Sequence, residues 1–343
     1  MLVILILCLA AILFFKVLEQ ICPGVPIFKQ LIFIVLWLII GLRYNVGTDY
    51  PAYAAMYDDP SDVRNWSTEP IWYYINGTLR WFGFKSRMYF LVTSGFTMFC
   101  FYKAIKHLSP SFYISILIFI LIGFYFETAN VVRQFCAMGA LFWGYTFLVE
   151  KKWFPTIILF ALGICLHYSA AFGILILLFS VVRINRWLLL FILTSCILLG
   201  SKLMNFIIQT FMPIVSDLST YNYTVDQFYD GITTGTLKYI YGLLSLMLII
   251  FNDRIESINA LTYRLINLTV YGVCLYCVFY TFQPARRLFM YGFMFSIIAF
   301  PYFFKIYNLN SRWMVVFSIG FIFMAFLVKQ FMALPYSFDI ELI

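Results

Sequence analysis

Apolar runs dominate the chain and polar breaks between them are short. About ten stretches of 15 or more mostly apolar residues follow one another, from LVILILCLAAILFF at the N-terminus through LIFIVLWLIIG and LLLFILTSCILLG to MVVFSIGFIFMAFLV near the C-terminus. At a rise of about 1.5 Å per residue, runs of this length cross or nearly cross a hydrocarbon layer roughly 30 Å thick. The pattern predicts an all-α polytopic membrane protein with about 11–12 membrane helices. The segment PIWYYINGTLRWFGF, residues 70–84, is different: its apolar residues recur at helical spacing between Trp- and Tyr-rich flanks. That predicts an amphipathic helix lying in the membrane interface.

Composition confirms the class. Of 343 residues 64% are hydrophobic and 11% charged, and the mean hydropathy is +0.92, which excludes a soluble core. The absence of a polar or Gly/Ser/Pro-rich linker predicts a single integral membrane domain over 1–343. The first run lacks a basic n-region and a small-residue cleavage site, so it reads as a retained helix. The net charge of +8 comes from Lys and Arg scattered between helices, a topology signal and not a nucleic-acid surface. Cys274 and Cys277 have redox or metal spacing but sit within an apolar run, where small buried residues are the expected reading.

The basic loops decide an expected orientation. Lys29, Lys103 and Lys106, Lys151 and Lys152, Arg183 and Arg186, Arg254 and Arg264, and Lys305 and Arg312 are placed in the cytoplasm. An outer loop then covers 43–87, with five acids against five bases, and a second covers 216–236, with three aspartates. Both EKKW and VVRINRW ask for the cytoplasm although one apolar stretch, 154–182, separates them. Two short helices folded back as a hairpin satisfy both, with His167 near the turn and the outer face; one straight helix inverts everything to one side of it. Triplets of the N-glycosylation type start at Asn65, Asn76 and Asn222 in the expected outer loops, a pattern common by chance.

Ionisable residues inside or at the outer end of such helices need a reason, because burial in the span costs roughly 2.5–3.5 kcal/mol. Arg43 with Asp49, Glu127 and Arg133 around TANVV, His167, and Arg286 with Arg287 all fall on the expected outer side, where positive charge has no orienting role. Arginine forks suit phosphate oxygens, and several converging on one cavity suit a pyrophosphate; a histidine beside them suits proton transfer or hydrogen bonding to a sugar or phosphate. Ordinary alternatives stand beside each: Arg43 and Arg133 as snorkelling cations, His167 as a packing residue, Arg286 and Arg287 as an interfacial pair. VGTDY is not a phosphate-binding loop, and no His, Cys or carboxylate cluster has metal spacing.

The stretches RYNVGTDYPAY, EPIWYYIN and NVVRQFCAMGALFWGYTFLVEKKWFPTIILFALGICLHYSAAFGIL resemble the EpsG family of bacterial polysaccharide polymerases, a branch of the Wzy-type O-antigen and capsule polymerases. The likeness covers about the first 180 residues, and PARRLFMY and the terminal LPY match loosely. The resemblance implies a GT-C-like membrane glycosyltransferase that needs no metal or cofactor. It would join undecaprenyl-pyrophosphate-linked repeat units at the outer face of the bacterial inner membrane, with a flippase and a chain-length regulator as protein partners. On this reading Arg43, Arg133 and Arg286 or Arg287 face the pyrophosphate. His167 orients or polarises a phosphate or the acceptor, Asp49 or Glu127 serves the acceptor hydroxyl, and Tyr50 and Tyr53 line the sugar path. Three alternatives share parts of this chemistry: a transporter of lipid-linked sugars, an O-antigen ligase and a membrane sugar acyltransferase.

Overall fold

The computed structural model describes residues 2–23, 25, 27–62, 69–218, 235–307, 320 and 337–338. It is an all-helical membrane protein, as the hydropathy requires. Among the described residues, four helices are long and apolar enough to cross a membrane: Val3–Ile21, Ser86–Leu108, Arg186–Phe206 and Thr262–Phe279. Six shorter apolar helices accompany them. Most of the loop at 216–236, the last apolar run, and Asn65 and Asn222 lie outside the described residues. The chain falls into two compact units, Met1–Ile174 with Tyr307–Ile343, and Leu175–Ile306.

In the first unit, α1 (Leu2–Ile21) packs on α2 (Phe28–Gly41), which is followed by a two-residue strand β1 (Arg43–Tyr44). Two short helices, α3 (Tyr50–Asp58) and α4 (Ile71–Trp81), occupy the expected outer loop before the long α5 (Ser86–Leu108). The predicted amphipathic helix is thus present. It buries Trp72 and Asn76 one turn apart and leaves Tyr74, Trp81 and Phe82 largely exposed. Burial at Asn76 also removes it as a glycan acceptor in the folded chain.

After α6 (Phe112–Leu121) and α7 (Phe124–Glu127), α8 (Val132–Val149) and α9 (Trp153–Leu166) form an antiparallel pair. The three-residue turn between them holds Lys151 at φ 59. The register is visible where Gly144 meets Phe160 and Gly163 meets Leu141 and Ala137. Continued one turn further, it brings the end of α9 level with the start of α8. The expected break within 154–182 is real: α9 stops at His167, which is extended (φ −163, ψ 122), and α10 (Ala170–Phe179) begins three residues later. Along its length α9 finds its packing on α8 rather than on α10.

The second unit is organised on α14 (Thr262–Phe279), against which α11 (Arg186–Leu218), α12 (Thr236–Ile250) and α16 (Phe289–Phe293) pack. Between them come α13 (Asn252–Glu256) and α15 (Gln283–Arg286), and α17 (Ser296–Lys305) follows. A Cβ on Gly272 would lie 2.4 Å from Phe293 N and one on Gly292 2.6 Å from Leu268 O, so α14 and α16 touch backbone to backbone. Such small-residue contacts are how helices associate where lipid competes for apolar surface. Ion pairs Arg183–Glu256 and Arg186–Asp253 put those two basic loops at one end of this unit. Cys274 and Cys277 are buried free thiols, as their apolar run implied.

Candidate active site

The site grows out of the break after α2. On a strand, successive side chains point to opposite faces, and β1 uses this: Arg43 is 2% exposed and Tyr44 43%. The Arg43 guanidinium donates from Nη1 to Ile40 O (2.7 Å) and from Nη2 to Ala129 O (3.1 Å), and lies over the Phe90 ring. It therefore takes up carbonyls at the end of α2 and beyond α7, where helix termini leave acceptors unused. A pyrophosphate at Arg43 would have to compete with those bonds. β1 pairs with β2 (Ser337–Phe338) in an antiparallel register, Arg43 opposite Phe338. The far end of the chain and the Arg43 stretch thus meet at one end of the first unit.

The turn that follows depends on Gly47 at φ 100, a conformation that favours glycine. Thr48 N donates to Asn130 Oδ1 at 2.9 Å, so the turn docks on the segment leading into α8. A Cβ at Gly47 would stand 2.3 Å from that same oxygen. Gly47→Ala is expected to cost about 1–3 kcal/mol through strain and loss of this docking, read as a lowered thermal midpoint in detergent. An unchanged midpoint would show that the turn does not hold the site.

Next to this turn, three segments distant in sequence converge on one carboxylate. Glu69 precedes Pro70 at the start of α4, Arg133 lies in the first turn of α8, and His167 ends α9. Arg133 Nη1 is 3.2 Å from Glu69 Oε2, and His167 Nδ1 is 2.6 Å from Glu69 Oε1. The Glu69 and Arg133 side chains are 5% and 8% exposed, that of His167 32%. An arginine at a helix N-terminus opposes the helix dipole, and a buried charge needs a partner; Glu69 supplies it. Arg133 also donates to Met56 Sδ (3.5 Å) and lies between the rings of Tyr53 and Trp72, 5.6 and 5.5 Å from their centroids. Trp72 Nε1 donates to Leu166 O at 2.9 Å, closing the end of α9 beside His167.

The pairing sets the imidazole's tautomer. A carboxylate only accepts, so Nδ1 carries a proton, and in the neutral imidazole Nε2, on the opposite ring edge of the partly exposed side chain, is the acceptor. The arrangement is a partly exposed histidine backed by a buried carboxylate, with an arginine on the carboxylate's other oxygen.

The helix α3 connects this cluster to a second surface. Tyr53 and Met56 face Arg133, whereas Tyr50, Ala54 and Asp58, spaced four apart, line a cleft with Tyr44, Asn45, Lys85 and Arg87. Arg80 and Tyr57 anchor α3: Arg80 donates to Tyr57 O, and the Tyr57 hydroxyl donates to Phe84 O at 2.6 Å. Burial pushes the Tyr57 phenol up to about 12, so it remains a donor. Partial desolvation raises the Asp58 carboxyl above its usual value, against the opposing pull of Arg80.

Of the residues singled out from the sequence, Arg133 and His167 are brought together, and Tyr53 lies against Arg133. Tyr50 is buried, stacked on Phe90 at 4.1 Å, and turned to the cleft. Asp49 stands at the N-cap position of α3 without a side-chain capping bond and accepts from the Thr48 hydroxyl at 3.1 Å; Glu127 ends α7 half-buried. Arg286 and Arg287 belong to the second unit, where Arg286 Nη1 donates to Tyr280 O at 3.3 Å. Glu69 is the residue that sequence reasoning missed. Its signal was the isolated acid directly before the Pro-led amphipathic helix, in the EPIWYYIN stretch.

Among the described residues, no group of three or more His, Cys, Asp or Glu is placed to hold a metal ion. No curated protein and no solved structure matches the chain. The model of the EpsG family matches residues 26–338, a span that includes every residue of the Glu69, Arg133 and His167 cluster. On that match, over nearly its whole length, this multi-pass membrane protein belongs to the EpsG family.

Proposed function

We propose that the chain is a membrane glycosyltransferase that polymerises undecaprenyl-pyrophosphate-linked oligosaccharide repeat units at the outer face of a bacterial inner membrane. Family membership supports the class of reaction, and the 2.6 Å contact between His167 and Glu69 is the observation that carries the chemistry. In the proposed step His167 Nε2 takes the proton of the acceptor sugar hydroxyl. The acceptor oxygen forms its bond to the anomeric carbon of the donor chain, and the bond from that carbon to the pyrophosphate oxygen breaks. The electron pair leaves with undecaprenyl pyrophosphate. Glu69 accepts from Nδ1–H and stabilises the imidazolium that forms, and Arg133 positions Glu69.

In this reading His167 takes the proton-accepting task for which Asp49 and Glu127 were the first candidates. Tyr53 beside Arg133 lines the sugar path, and the exposed Tyr74, Trp81 and Phe82 of α4 lie in the lipid interface next to the donor's isoprenoid chain. A flippase that delivers the repeat unit and a chain-length regulator are the protein partners the reaction calls for. The test is incubation of purified protein with a synthetic lipid-pyrophosphate repeat unit. A ladder of many products is expected. A single addition to a foreign acceptor would make the chain a ligase, and no covalent product would leave a transporter.

A further inference from the structure

Away from the candidate site, α2 and α5 enclose a groove of about 510 Å³. Its sides are apolar, with Phe33, Ile34 and Trp37 from α2 facing Val92, Phe96 and Phe99 from α5. Trp37 Nε1 donates to Leu91 O at 2.8 Å, and a Cβ on Gly95 would stand 2.8 Å from the same nitrogen, so the indole is fixed as part of the wall. Ile34, Val92 and Phe99 are 43, 41 and 46% exposed, and the groove is therefore open along a helix that is long and apolar enough to cross a membrane. In that setting it meets hydrocarbon chains.

One end of the groove is polar, where Gln30, Tyr102 and Lys103 line it. Tyr102 is 7% exposed and its ring meets Phe33 at 5.3 Å, yet its hydroxyl is buried with no hydrogen-bond partner among the described residues. An unpaired buried hydroxyl is a cost that an acceptor removes. Lys103 Nζ lies over the Phe99 ring at 5.1 Å, a contact with a ring face that supplies no oxygen to its N–H donors. We propose that the groove is a binding site for a membrane phospholipid, its acyl chain along Ile34, Trp37, Val92 and Phe96 and its ester or phosphate oxygens accepting from Tyr102 and Lys103. The requirement comes from the Tyr102 hydroxyl and not from surplus charge: a bare hydrocarbon would fill the groove and leave that donor unpaired. The charge rule puts Lys29, Lys103 and Lys106 at this end on the cytoplasmic side, where a phospholipid head belongs. The isoprenoid donor of the reaction proposed above has its pyrophosphate at the opposite face, and its tail carries no acceptor. A lipid bridging α2 and α5 would steady the pair of helices beyond which Arg43 lies over Phe90.

The experiment is native mass spectrometry of the full-length protein released from detergent, titrated with three probes: palmitoyl-oleoyl phosphatidylglycerol, the diacylglycerol with the same chains, and decaprenyl phosphate. One phosphatidylglycerol per chain is expected, bound about tenfold or more tighter than the diacylglycerol, which lacks the phosphate. Tyr102→Phe removes only the donor and is expected to weaken phosphatidylglycerol about three- to tenfold without lowering the thermal midpoint. Ile34→Trp fills the open side of the groove and is expected to abolish the bound lipid, whereas Leu13→Trp on the exposed face of α1 is expected to bind like wild type, which separates a site from the general lipid belt. Equal binding of diacylglycerol and phosphatidylglycerol, wild-type affinity in Tyr102→Phe, or the same loss in Leu13→Trp as in Ile34→Trp would overturn the proposal. Displacement of phosphatidylglycerol by equimolar decaprenyl phosphate would overturn it too and give the groove to the donor lipid. No turnover is measured, so a failed polymerase reading leaves this result standing.

Discussion

Glu69→Gln is expected to lower the rate of ladder formation by about 10²–10⁴-fold while the protein remains folded in detergent. Glutamine keeps the shape and one acceptor oxygen, but it removes the charge that stabilises the imidazolium as His167 takes a proton. It also leaves Arg133 facing an amide. The split between kcat and KM distinguishes positioning from mere structure. The loss is expected in kcat with KM near wild type, because Glu69 acts through His167 and not on the bound glycan. Glu69→Asp, which retains the charge on a shorter arm, is expected to restore part of the rate. A Glu69→Gln enzyme with a wild-type kcat would remove His167 from the base's role.

Arg133→Ala is expected to have the largest effect on stability. It strands the Glu69 carboxylate, 5% exposed, without the guanidinium that faces it, and removal of one partner from a buried ion pair costs about 3–5 kcal/mol. Against a typical total of about 5–15 kcal/mol this is a large fraction. Arg133→Lys is expected to recover it only in part, because an ammonium cannot reach Glu69 and Met56 together as the planar fork does while keeping contact with the Tyr53 and Trp72 rings. The double variant Glu69→Ala/Arg133→Ala closes the thermodynamic cycle. It is expected to unfold at a higher temperature than Arg133→Ala alone and to make no ladder. Thermal midpoints for Arg133→Ala equal to wild type would show that the pair does not hold this end of the unit together.

Arg43 and Arg133 show how far a local reading reaches. Both stood out because a cation at such a place lacks an orienting role, and both are indeed buried. Their sequence contexts do not separate them, yet Arg43 clamps the carbonyls of Ile40 and Ala129 whereas Arg133 faces a carboxylate. The difference lies in which remote segment arrives beside each guanidinium. The His167 break was legible because two basic loops demanded it, but the role of the histidine was not: its partner is 98 residues away. Asp49 drew notice by its place near Arg43 on the expected outer side, and the structure puts it at the start of α3. Glu69, inside a loop of mixed charge, drew none.

The sequence by itself determined the membrane character, the succession of apolar helices, the break near His167 and the family. Each of these is written in local terms: hydropathy over about 20 residues, the spacing of apolar positions and the places of the basic loops. Only the tertiary structure decided that Glu69, Arg133 and His167 form one cluster and that α3 turns Tyr53 to it and Tyr50 away. Contacts spanning 64 and 98 residues leave no periodic trace along the chain, because they are chosen by helix packing such as the α8–α9 register and not by the residues next to them.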